Sequence, residues 1–364
     1  MGPIPDEILG RIGAHLLLCG NSRADRALRR LESRSQSILT ASPSTLARLG
    51  FDQDEIQRIT RGAWRDEAAS EWEQATRAGI RLLFPEEEGY PPLLGEIADP
   101  PRCLYCLGRT EALALPDKLA VVGARQASPY GIAAVRTLVP TLAQAGLVVV
   151  SGMAHGIDAT AHRETLSAGG VTIGVNAGGL FNLYPAAQRS LIDRIVKTGA
   201  VISEFPLATV PRPHLFPIRN RIISGLCRAV LVVEAARRSG SLITAKLALE
   251  QDRDVLAVPG PIGAPLSEGP HYLIAHGAKL IERPVDVLTE YGRQPPASIP
   301  ERSDLTASER KVLDLLCTDR VKRIDDLVDE LDLSTAETVC VVMGLVLKNL
   351  AFEDAGGYRR IGSG

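Results

Sequence analysis

The chain of 364 residues has few aromatic residues, few cysteines and no long apolar run. Aromatic residues make up 4% of the sequence, which limits any surface on which nucleic-acid bases stack. No stretch reaches about 18 uninterrupted apolar residues, and the N-terminus lacks a charged segment followed by an apolar one. We therefore expect neither a membrane-spanning helix nor a secretory signal, and these absences favour a cytoplasmic protein with no membrane partner.

Charge and cysteine usage exclude further classes. The formal net charge is only −2, so no overall basicity points to nucleic acid. Six cysteines are scattered, and Cys103 and Cys106 form a single C-x-x-C without a second pair. Two unpaired thiols near a strand are therefore favoured over a zinc site, and we predict no metal and no cofactor. With 45% hydrophobic residues the chain can bury a large core and form two or three domains.

The segment from Lys118 to Gly131 reads as a strand, a tight turn and a helix. Leu119 to Val122 is a short, Val-rich apolar run typical of a buried parallel strand, Gly123 interrupts it, and a helix is predicted from Pro129. Such a turn presents backbone N–H groups and a helix N-terminus to a phosphate. Arg125 and Ser128 lie in the turn, so we expect them to hold a phosphate together with its N–H groups.

The same unit recurs downstream. Further strands are predicted at 147–150, 171–175, 200–202, 229–233 and 255–258, each ending in small or polar residues, with helix-like sequence between most of them. Parallel strands joined by helices gather their C-terminal loops along one edge of the sheet, where ligands bind. The predicted fold is α/β, an extended Rossmann-like doubly wound sheet that is mostly parallel. Pro-rich turns between 80 and 116 suggest an additional strand on the sheet edge.

The flanks predict two smaller domains. Residues 1–78 read as short helices, a small accessory domain that resembles a sterile-alpha-motif-like or helix-hairpin-helix module. The core is predicted at 79–292 and a Pro-rich linker at 293–304. Residues 305–364 carry three helix patterns and a Gly-turned hairpin, which together predict a winged helix.

The predicted winged helix lacks the residues that read duplex DNA. Its third helix begins with Thr335, Glu337 and Thr338 and has no basic residue before Lys348, whereas a helix in the major groove presents Arg, Lys, Asn or Gln near its start. From Arg293 onward there are 10 basic and 13 acidic residues. These features favour contact with a protein.

The most unusual stretch is 211–240. It holds six arginines, one acid and no lysine, a local charge of +5 on a chain of net −2. Charge runs are usually solvated faces, but these arginines alternate with strand and loop ends at the Gly-rich edge. Clusters made only of arginine favour planar, bidentate contact with phosphate and stacking on bases.

Four motifs resemble the DNA processing protein DprA (Smf) family over about residues 80 to 290. They are Gly123-Ala-Arg125-x-x-Ser128-x-Tyr130-Gly131, Ser151-Gly152-x-Ala154-x-Gly156-Ile157-Asp158-x-x-Ala161-His162, Phe216-Pro217-x-Arg219-Asn220-Arg221-Ile222-Ile223-Ser224-Gly225-Leu226 and Arg238-Ser239-Gly240-Ser241-Leu242-Ile243-Thr244-Ala245.

The resemblance implies a cytoplasmic homodimer that binds single-stranded DNA and has no catalytic activity. It implies that the protein protects incoming strands during natural transformation and loads RecA recombinase onto them past single-strand-binding protein, a further partner. The family fold is an extended Rossmann core with variable flanking domains.

The motifs and the arginine cluster define the candidate site residues. The candidate DNA-binding residues are Gly123, Arg125, Ser128, Tyr130, Ser151, Gly152, His155, Gly156, Phe216, Arg219, Asn220, Arg221, Arg237, Arg238, Ser239, Gly240 and Ser241. The candidate dimer surface is the segment 269–277 with Leu273 and Ile274, whose alternating small and apolar residues are equally compatible with a core.

A nearby His/Asp group also requires interpretation. Asp158 and His162 share a helix face, and His155 is the only third ligand in reach. We favour a helix-capping Asp158 and a packed or hydrogen-bonded His162 over a metal site.

Two other functions remain open from the residues. The first is a nucleotide-binding Rossmann enzyme related to the lysine-decarboxylase-like phosphoribohydrolases, which carry Pro-Gly-Gly-x-Gly-Thr and a following Glu. Here the nearest run, 259–263, has no Thr and no suitably spaced acid. The second is a purely structural scaffold. Release of a free base would favour the enzyme, and failure to bind any nucleic acid would favour the scaffold.

Overall fold

The structure is a computed structural model. It describes residues 4–19, 22–30, 35–183, 185, 188–294, 305–317, 320–331, 333–348, 350–354 and 356–360. The predicted linker at 293–304 lies mostly outside the described residues. Within the described part of the chain, none of the helices combines the length and hydrophobicity required to cross a lipid bilayer.

The first part of the described chain is helical, as predicted. Its elements are α1 (Asp6–Cys19), α2 (Ser22–Arg30), a 3₁₀ helix (Ser35–Thr40), α3 (Pro43–Leu49), α4 (Gln53–Thr60) and α5 (Trp64–Arg77). Local sequence explains the short helices: Ser42 caps α3, Gly50 ends it with a φ of 100°, and Asp52 and Glu55 form a capping box on α4. The assignment to a sterile-alpha-motif-like class stays a prediction.

Strands and helices alternate through the core. In chain order they are β1 (Ile80–Leu83), α6 (Pro92–Gly95), β2 (Leu104–Gly108), α7 (Glu111–Ala114), β3 (Lys118–Val122), α8 (Pro129–Gln144), β4 (Val148–Gly152), α9 (Ile157–Ser167), β5 (Thr172–Val175), α10 (Arg189–Thr198), β6 (Ala200–Ser203), α11 (Leu215–Gly225), β7 (Ala229–Val232), α12 (Gly240–Glu250), β8 (Asp254–Ala257), a 3₁₀ helix (Pro265–Ser267), α13 (Glu268–Ala275), β9 (Lys279–Leu280) and α14 (Pro284–Glu290).

The strands form one nine-stranded sheet in the order β1-β2-β6-β5-β4-β3-β7-β8-β9. The pairs β1–β2 and β2–β6 are antiparallel, and all other pairs are parallel. The predicted doubly wound, mostly parallel sheet is therefore confirmed. One additional strand was predicted at the sheet edge, and the structure has two at one edge, β1 and β2. The two-residue strand β9 at the other edge was not predicted.

Helices cover both faces of the sheet. Along β3, Leu119 and Val121 face one hydrophobic cluster with α8 and α14, while Ala120 and Val122 face the other with α11 and α12. Burial on both faces explains why the parallel strands are uninterrupted apolar runs. From β3 the sheet continues through β4 and β5 on one side and through β7 and β8 on the other. The direction of winding therefore reverses at β3, which places a crevice at the carboxyl ends of β3 and β7.

The N-terminal helices pack against the antiparallel edge of the sheet. Ile12 of α1 shares a hydrophobic cluster with β1 and β2. Two polar contacts cross the same interface: Arg102 pairs with Asp25 at 2.6 Å, and Glu71 accepts the backbone N–H of Leu207 at 2.7 Å. The predicted division at residue 78 coincides with the gap between α5 and β1, and the domain division itself stays a prediction.

The last described elements are α15 (Ala307–Leu315), α16 (Ile324–Glu330), α17 (Thr335–Leu347), β10 (Ala351–Asp354) and β11 (Gly357–Arg360). The two strands form an antiparallel hairpin. Three helices followed by a hairpin were predicted here, and the winged-helix class stays a prediction. Ser334 and Glu337 form a capping box at the start of α17, so the first turn of this helix carries an acid.

Candidate nucleic-acid interface

A pocket of about 230 Å³ opens between α11 and α12, at the carboxyl ends of the parallel strands. Fourteen of the fifteen lining residues belong to the predicted motifs: Gly123, Arg125, Ala154, Asp158, Phe216, Pro217, Arg219, Asn220, Ile223, Ser239, Gly240, Ser241, Ile243 and Thr244. The remaining lining residue is Val122, the last residue of β3. Residues from motifs more than 100 positions apart thus meet at one place on the predicted edge.

Arg219 forms the cationic floor of the pocket. It is only 4% exposed, and its Nη1 donates to the carbonyl oxygen of Val175 at 2.9 Å. Its buried Nε has no hydrogen-bond partner among the described residues. Burial lowers the pKa of Arg219 to about 10, although Asp158 opposes this shift, so the guanidinium is still charged at neutral pH.

Gly152 leaves the space in which Asp158 and Arg219 lie close together. A Cβ on Gly152 would lie 2.1 Å from Arg219 Nη1 and 2.5 Å from Asp158 Oδ2, so only glycine leaves room for both groups. Burial raises the pKa of Asp158, and the guanidinium of Arg219 opposes that rise. The carboxyl group of Asp158 thus lies near enough to the guanidinium of Arg219 for the two groups to affect each other's pKa inside the protein.

Arg125 stands above the floor, against an aromatic ring. Its guanidinium carbon lies 4.7 Å from the ring centroid of Phe216, and that of Arg219 lies 6.0 Å from the same centroid. Both distances are within the range of cation–π attraction. Phe216 therefore orients two guanidinium groups, one buried and one at the mouth of the pocket.

The N-terminus of α12 forms the opposite wall. Ser239 caps the helix by accepting the backbone N–H of Ser241 at 3.3 Å, and Asn220 donates to the carbonyl oxygen of Gly240 at 3.3 Å, which ties α12 to α11. Among the described residues, and apart from its chain neighbours and the backbone of α12 itself, no atom lies within 4 Å of where a Cβ of Gly240 would be. The first turn of an 11-residue helix, with its partial positive charge, thus borders open space next to Arg219.

The predicted phosphate site at the first turn of α8 is already occupied by an acid. Ser128 caps α8 and accepts the N–H of Gly131 at 3.2 Å. The backbone N–H of Ser128 donates to Glu234 Oε2 at 2.9 Å, and its hydroxyl donates to Glu234 Oε1. The backbone N–H and the hydroxyl of Ser128 and the N–H of Gly131 are therefore not available to a ligand, which corrects the prediction for Ser128 and for these N–H groups. Only Arg125 of that group faces the pocket.

Arg221 also departs from its predicted place. Its side chain is 12% exposed and donates to Glu204 at 2.7 and 2.6 Å and to Asp99 at 2.5 Å. Burial lowers its pKa, but the two carboxylates outweigh that effect and raise the pKa above its ordinary value. Arg221 lies on the far side of α11 from the pocket lining, so we remove it from the candidate interface.

The other candidates fall into a buried and an exposed group. Ser151 is fully buried and donates to the carbonyl oxygen of Val121 at 2.6 Å, so its hydroxyl links two strands of the sheet. Gly156 forms the N-cap of α9. The exposed candidates are Tyr130, whose hydroxyl donates to the Pro259 carbonyl, His155, Arg237, which stacks on Tyr272 at 4.3 Å, and Arg238.

The candidate dimer residue Leu273 is part of the core. It is 9% exposed and belongs to the hydrophobic cluster that includes Ala235 and Ala257, and Ile274 packs against the same cluster. This burial contradicts a dimer surface centred on Leu273. The small and apolar residues of α13 face the sheet, which was the alternative that the sequence left open.

The His/Asp group is held by hydrogen bonds. His162 is buried between the carbonyl oxygen of Gly152 (3.0 Å) and the hydroxyl of Thr172 (2.7 Å), and burial lowers its pKa to about 4. Asp158 accepts the N–H of Ala154 at 3.4 Å. The N-cap of α9 is Gly156, so Asp158 lies in the first turn of the helix and is not the predicted capping residue. Among the described residues no three His, Cys, Asp or Glu side chains form a group suited to a metal ion. Cys103 and Cys106 are buried free thiols, as predicted.

Sequence reasoning did not assign a role to Glu234 or recognise the pairing of Asp158 with Arg219. Glu234 was visible as the single acid in the arginine-rich stretch, at the end of a predicted strand. Its position, an acid at the carboxyl end of a strand next to the strand–turn–helix unit, could have indicated the contact between Glu234 and Ser128.

Comparison with known proteins gives consistent matches. Residues 81–292 match the family model described as DNA recombination-mediator protein A. Protein Smf of Escherichia coli is 41% identical over 289 residues, which cover 77% of this chain and 77% of that protein. The X-ray structure of DNA processing protein A from Streptococcus pneumoniae superposes with a TM-score of 0.62 at 34% identity, covering 80% of this chain and 99% of that one. A structure that describes the single-stranded DNA binding mode of DNA processing protein A from Helicobacter pylori has a TM-score of 0.53 at 30% identity and covers 58% of this chain and 95% of that one.

Proposed function

This chain belongs to the DNA recombination-mediator protein A family, and from that premise we propose that it binds single-stranded DNA in the pocket between α11 and α12. The observation that carries the proposal is the convergence of Arg125, Arg219 and the first turn of α12 on one open space. Guanidinium groups and helix N-termini are the groups that bind phosphate in proteins. The single-stranded DNA binding mode described for the Helicobacter pylori relative supports the same ligand.

The strand would be held mainly through its backbone. Phosphate contacts position a nucleic acid without reading its sequence, and the pocket offers cations and backbone N–H groups with few aromatic rings. A single strand can splay its bases between the loops of the sheet edge, whereas the paired bases of a duplex cannot. We therefore expect binding of single strands with little sequence preference and weaker binding of duplex DNA.

The wider role follows from family membership. We propose that the protein protects incoming single strands during natural transformation and loads RecA past single-strand-binding protein, acting in the cytoplasm as a homodimer without catalysis. The C-terminal helices and hairpin are proposed to contact protein, because α17 exposes Val339 and Met343 and begins with an acidic turn.

The DNA-binding proposal is tested by fluorescence anisotropy with a labelled single strand and a blunt duplex of the same length. Arg125→Ala should weaken binding of every single-stranded sequence by about tenfold, the effect of losing one charge-assisted hydrogen bond. Arg77→Ala is the matched control, because Arg77 is exposed on α5 and paired with Glu73 at 3.1 Å. No binding by the wild type, or unchanged affinity in a folded Arg125→Ala variant, would contradict the proposal.

RecA loading needs a separate experiment. RecA filament formation is followed on single strands coated beforehand with single-strand-binding protein, with and without the protein. Faster filament formation that is lost in Arg125→Ala is expected. An unchanged rate with a protein that still binds single strands would limit the function to binding and protection.

A further inference from the structure

The first turn of α8 has the geometry of a nucleotide phosphate site. It follows β3 through a tight turn and begins a 16-residue helix, with β7 as the neighbouring strand. In Rossmann folds this position holds a phosphate against backbone N–H groups. Here the position contains the carboxylate of Glu234, from the residues that follow β7.

Both oxygens of that carboxylate are bound. Oε2 accepts the backbone N–H of Ser128 at 2.9 Å, and Oε1 accepts the Ser128 hydroxyl. A Cβ on Gly131 would lie only 2.2 Å from Oε2, so the helix comes as close to the carboxylate as glycine allows. Glu234 is 4% exposed, and the negative charge therefore sits in the first turn of α8, where the helix dipole stabilises it.

We propose that Glu234 is a specificity-determining residue that acts as an internal anion. Its carboxylate fills the position that a nucleotide phosphate would take at α8 and repels any phosphate that approaches. Anions at this edge of the sheet are directed to the first turn of α12, where Gly240 borders open space. The exclusion concerns α8 alone, so it holds whether or not the chain binds DNA.

The proposal also explains why one fold can serve different ligands. A Rossmann core with a free first turn is ready for a mononucleotide or dinucleotide. In a core whose first turn at α8 is filled by an acidic side chain of the same chain, the first turn of α12 is the site that remains for a phosphate. That turn borders open space, which suits a phosphate group within a longer nucleic-acid strand. Glu234 would thus separate this chain from nucleotide-binding Rossmann enzymes.

Removing the carboxylate should create a phosphate site at α8. The melting temperature of Glu234→Ala is measured in inorganic phosphate and in chloride at equal ionic strength and pH. Phosphate at about ten times its dissociation constant should raise the melting temperature by about 2–3 °C more than in the wild type. The wild-type response provides the baseline for any anion bound at α12.

Three controls identify the site. Glu250→Ala removes an exposed carboxylate on α12, paired with Lys246 at 3.6 Å, and should behave as the wild type. Glu234→Gln keeps the space filled and should show no added response. Ser128→Ala combined with Glu234→Ala removes the hydroxyl donor and should lose most of the added response.

The outcomes separate clearly. A phosphate response in Glu234→Ala equal to that of the wild type would overturn the proposal, as would a full added response in Glu234→Gln or in the double variant. If Glu234→Ala does not fold in chloride, Glu234→Ser is measured by the same criteria. Since no DNA is present, the result is independent of single-strand binding.

Discussion

The salt dependence of single-strand binding should report how many arginines contact the DNA strand. In the sequence, five arginines are candidates for contact with the DNA backbone: Arg125, Arg219, Arg221, Arg237 and Arg238. The structure removes Arg221, because its guanidinium is bonded to Glu204 and Asp99. Arg219 is partly balanced by Asp158, which leaves three arginines in full and one in part.

The expected slope follows from this count. Each phosphate neutralised on a single strand contributes about −0.7 to the slope of log K against log salt concentration. Five arginines would give about −3.5, whereas three to four give about −2 to −3 per protomer. Arg125→Ala should therefore reduce the steepness by about 0.7.

Arg221 provides the contrasting variant. Replacing it alone would remove the guanidinium that binds two carboxylates, one of them in Glu204, which is 8% exposed, and a broken buried pair typically costs about 3–5 kcal/mol. The combined variant Arg221→Met with Glu204→Gln removes both charges of the main pair. Its slope should equal that of the wild type, even if its affinity falls because α11 has shifted.

The assay is anisotropy titration of a labelled single strand over a series of NaCl concentrations. Circular dichroism confirms that each variant is folded, and Arg77→Ala serves as the unaffected control. A slope that loses about 0.7 in the Arg221→Met variant but not in Arg125→Ala would refute this assignment of the charges.

Three further predictions concern assembly, the C-terminal region and pH. Leu280→Arg, on the exposed edge strand β9 where Leu280 is 40% exposed, should dissociate the proposed homodimer in sedimentation; a dimer that persists in this variant rules out this edge. Deletion of residues 296–364 should change single-strand affinity less than twofold by anisotropy, and a large loss would assign DNA contacts to the C-terminal region. Burial lowers the pKa of His15 to about 4, so below about pH 6.5 the unfolded state binds a proton that the folded state does not. Urea unfolding should thus show about 2 kcal/mol less stability from this group at about pH 5 than at about pH 7. His15→Leu should remove this contribution, while a similar one from His162, whose pKa burial also lowers to about 4, should remain.

The parallel sheet was predictable because burial on both faces leaves a simple pattern. Strands β3 to β8 each appear as a short apolar run that ends in small or polar residues. Strand β9 carries no such pattern, since both of its residues are exposed and it pairs through only two positions with β8. Its existence depends on the position of α13, which no local pattern contains.

The place of the site could be predicted from the sequence, but the hydrogen bonds and ion pairs within it could not. The carboxyl ends of parallel strands must meet at one edge, so the motif residues were expected there together. Which charges are paired depends on contacts between distant segments. Arg221 and Asp99 are 122 positions apart, and Ser128 and Glu234 are 106 apart.

Leu273 shows a second limit of the pattern. Alternating small and apolar residues on an eight-residue helix fit a core face and an exposed interface equally well. The structure decides, because α13 packs on β8 and turns Leu273 toward Ala257 while Tyr272, one position away, is 37% exposed. A rotation of α13 by one residue position, about 100°, would be enough to change Leu273 from a core residue to an exposed interface residue.

The arginine-rich stretch contains two sets of arginines with different roles. Arg221 and Arg228 pair with acids of other segments, at 2.6 Å to Glu204 and 3.0 Å to Asp117. Arg237 and Arg238 are exposed on the loop before α12. Arg221 binds two acids beside α11, and Arg228 binds Asp117 at the amino ends of β7 and β3, the edge opposite the pocket. The exposed set lies where it can contact a phosphate backbone. Substitution in the first set should therefore act mainly on the free energy of unfolding, and substitution in the second mainly on the affinity for single strands.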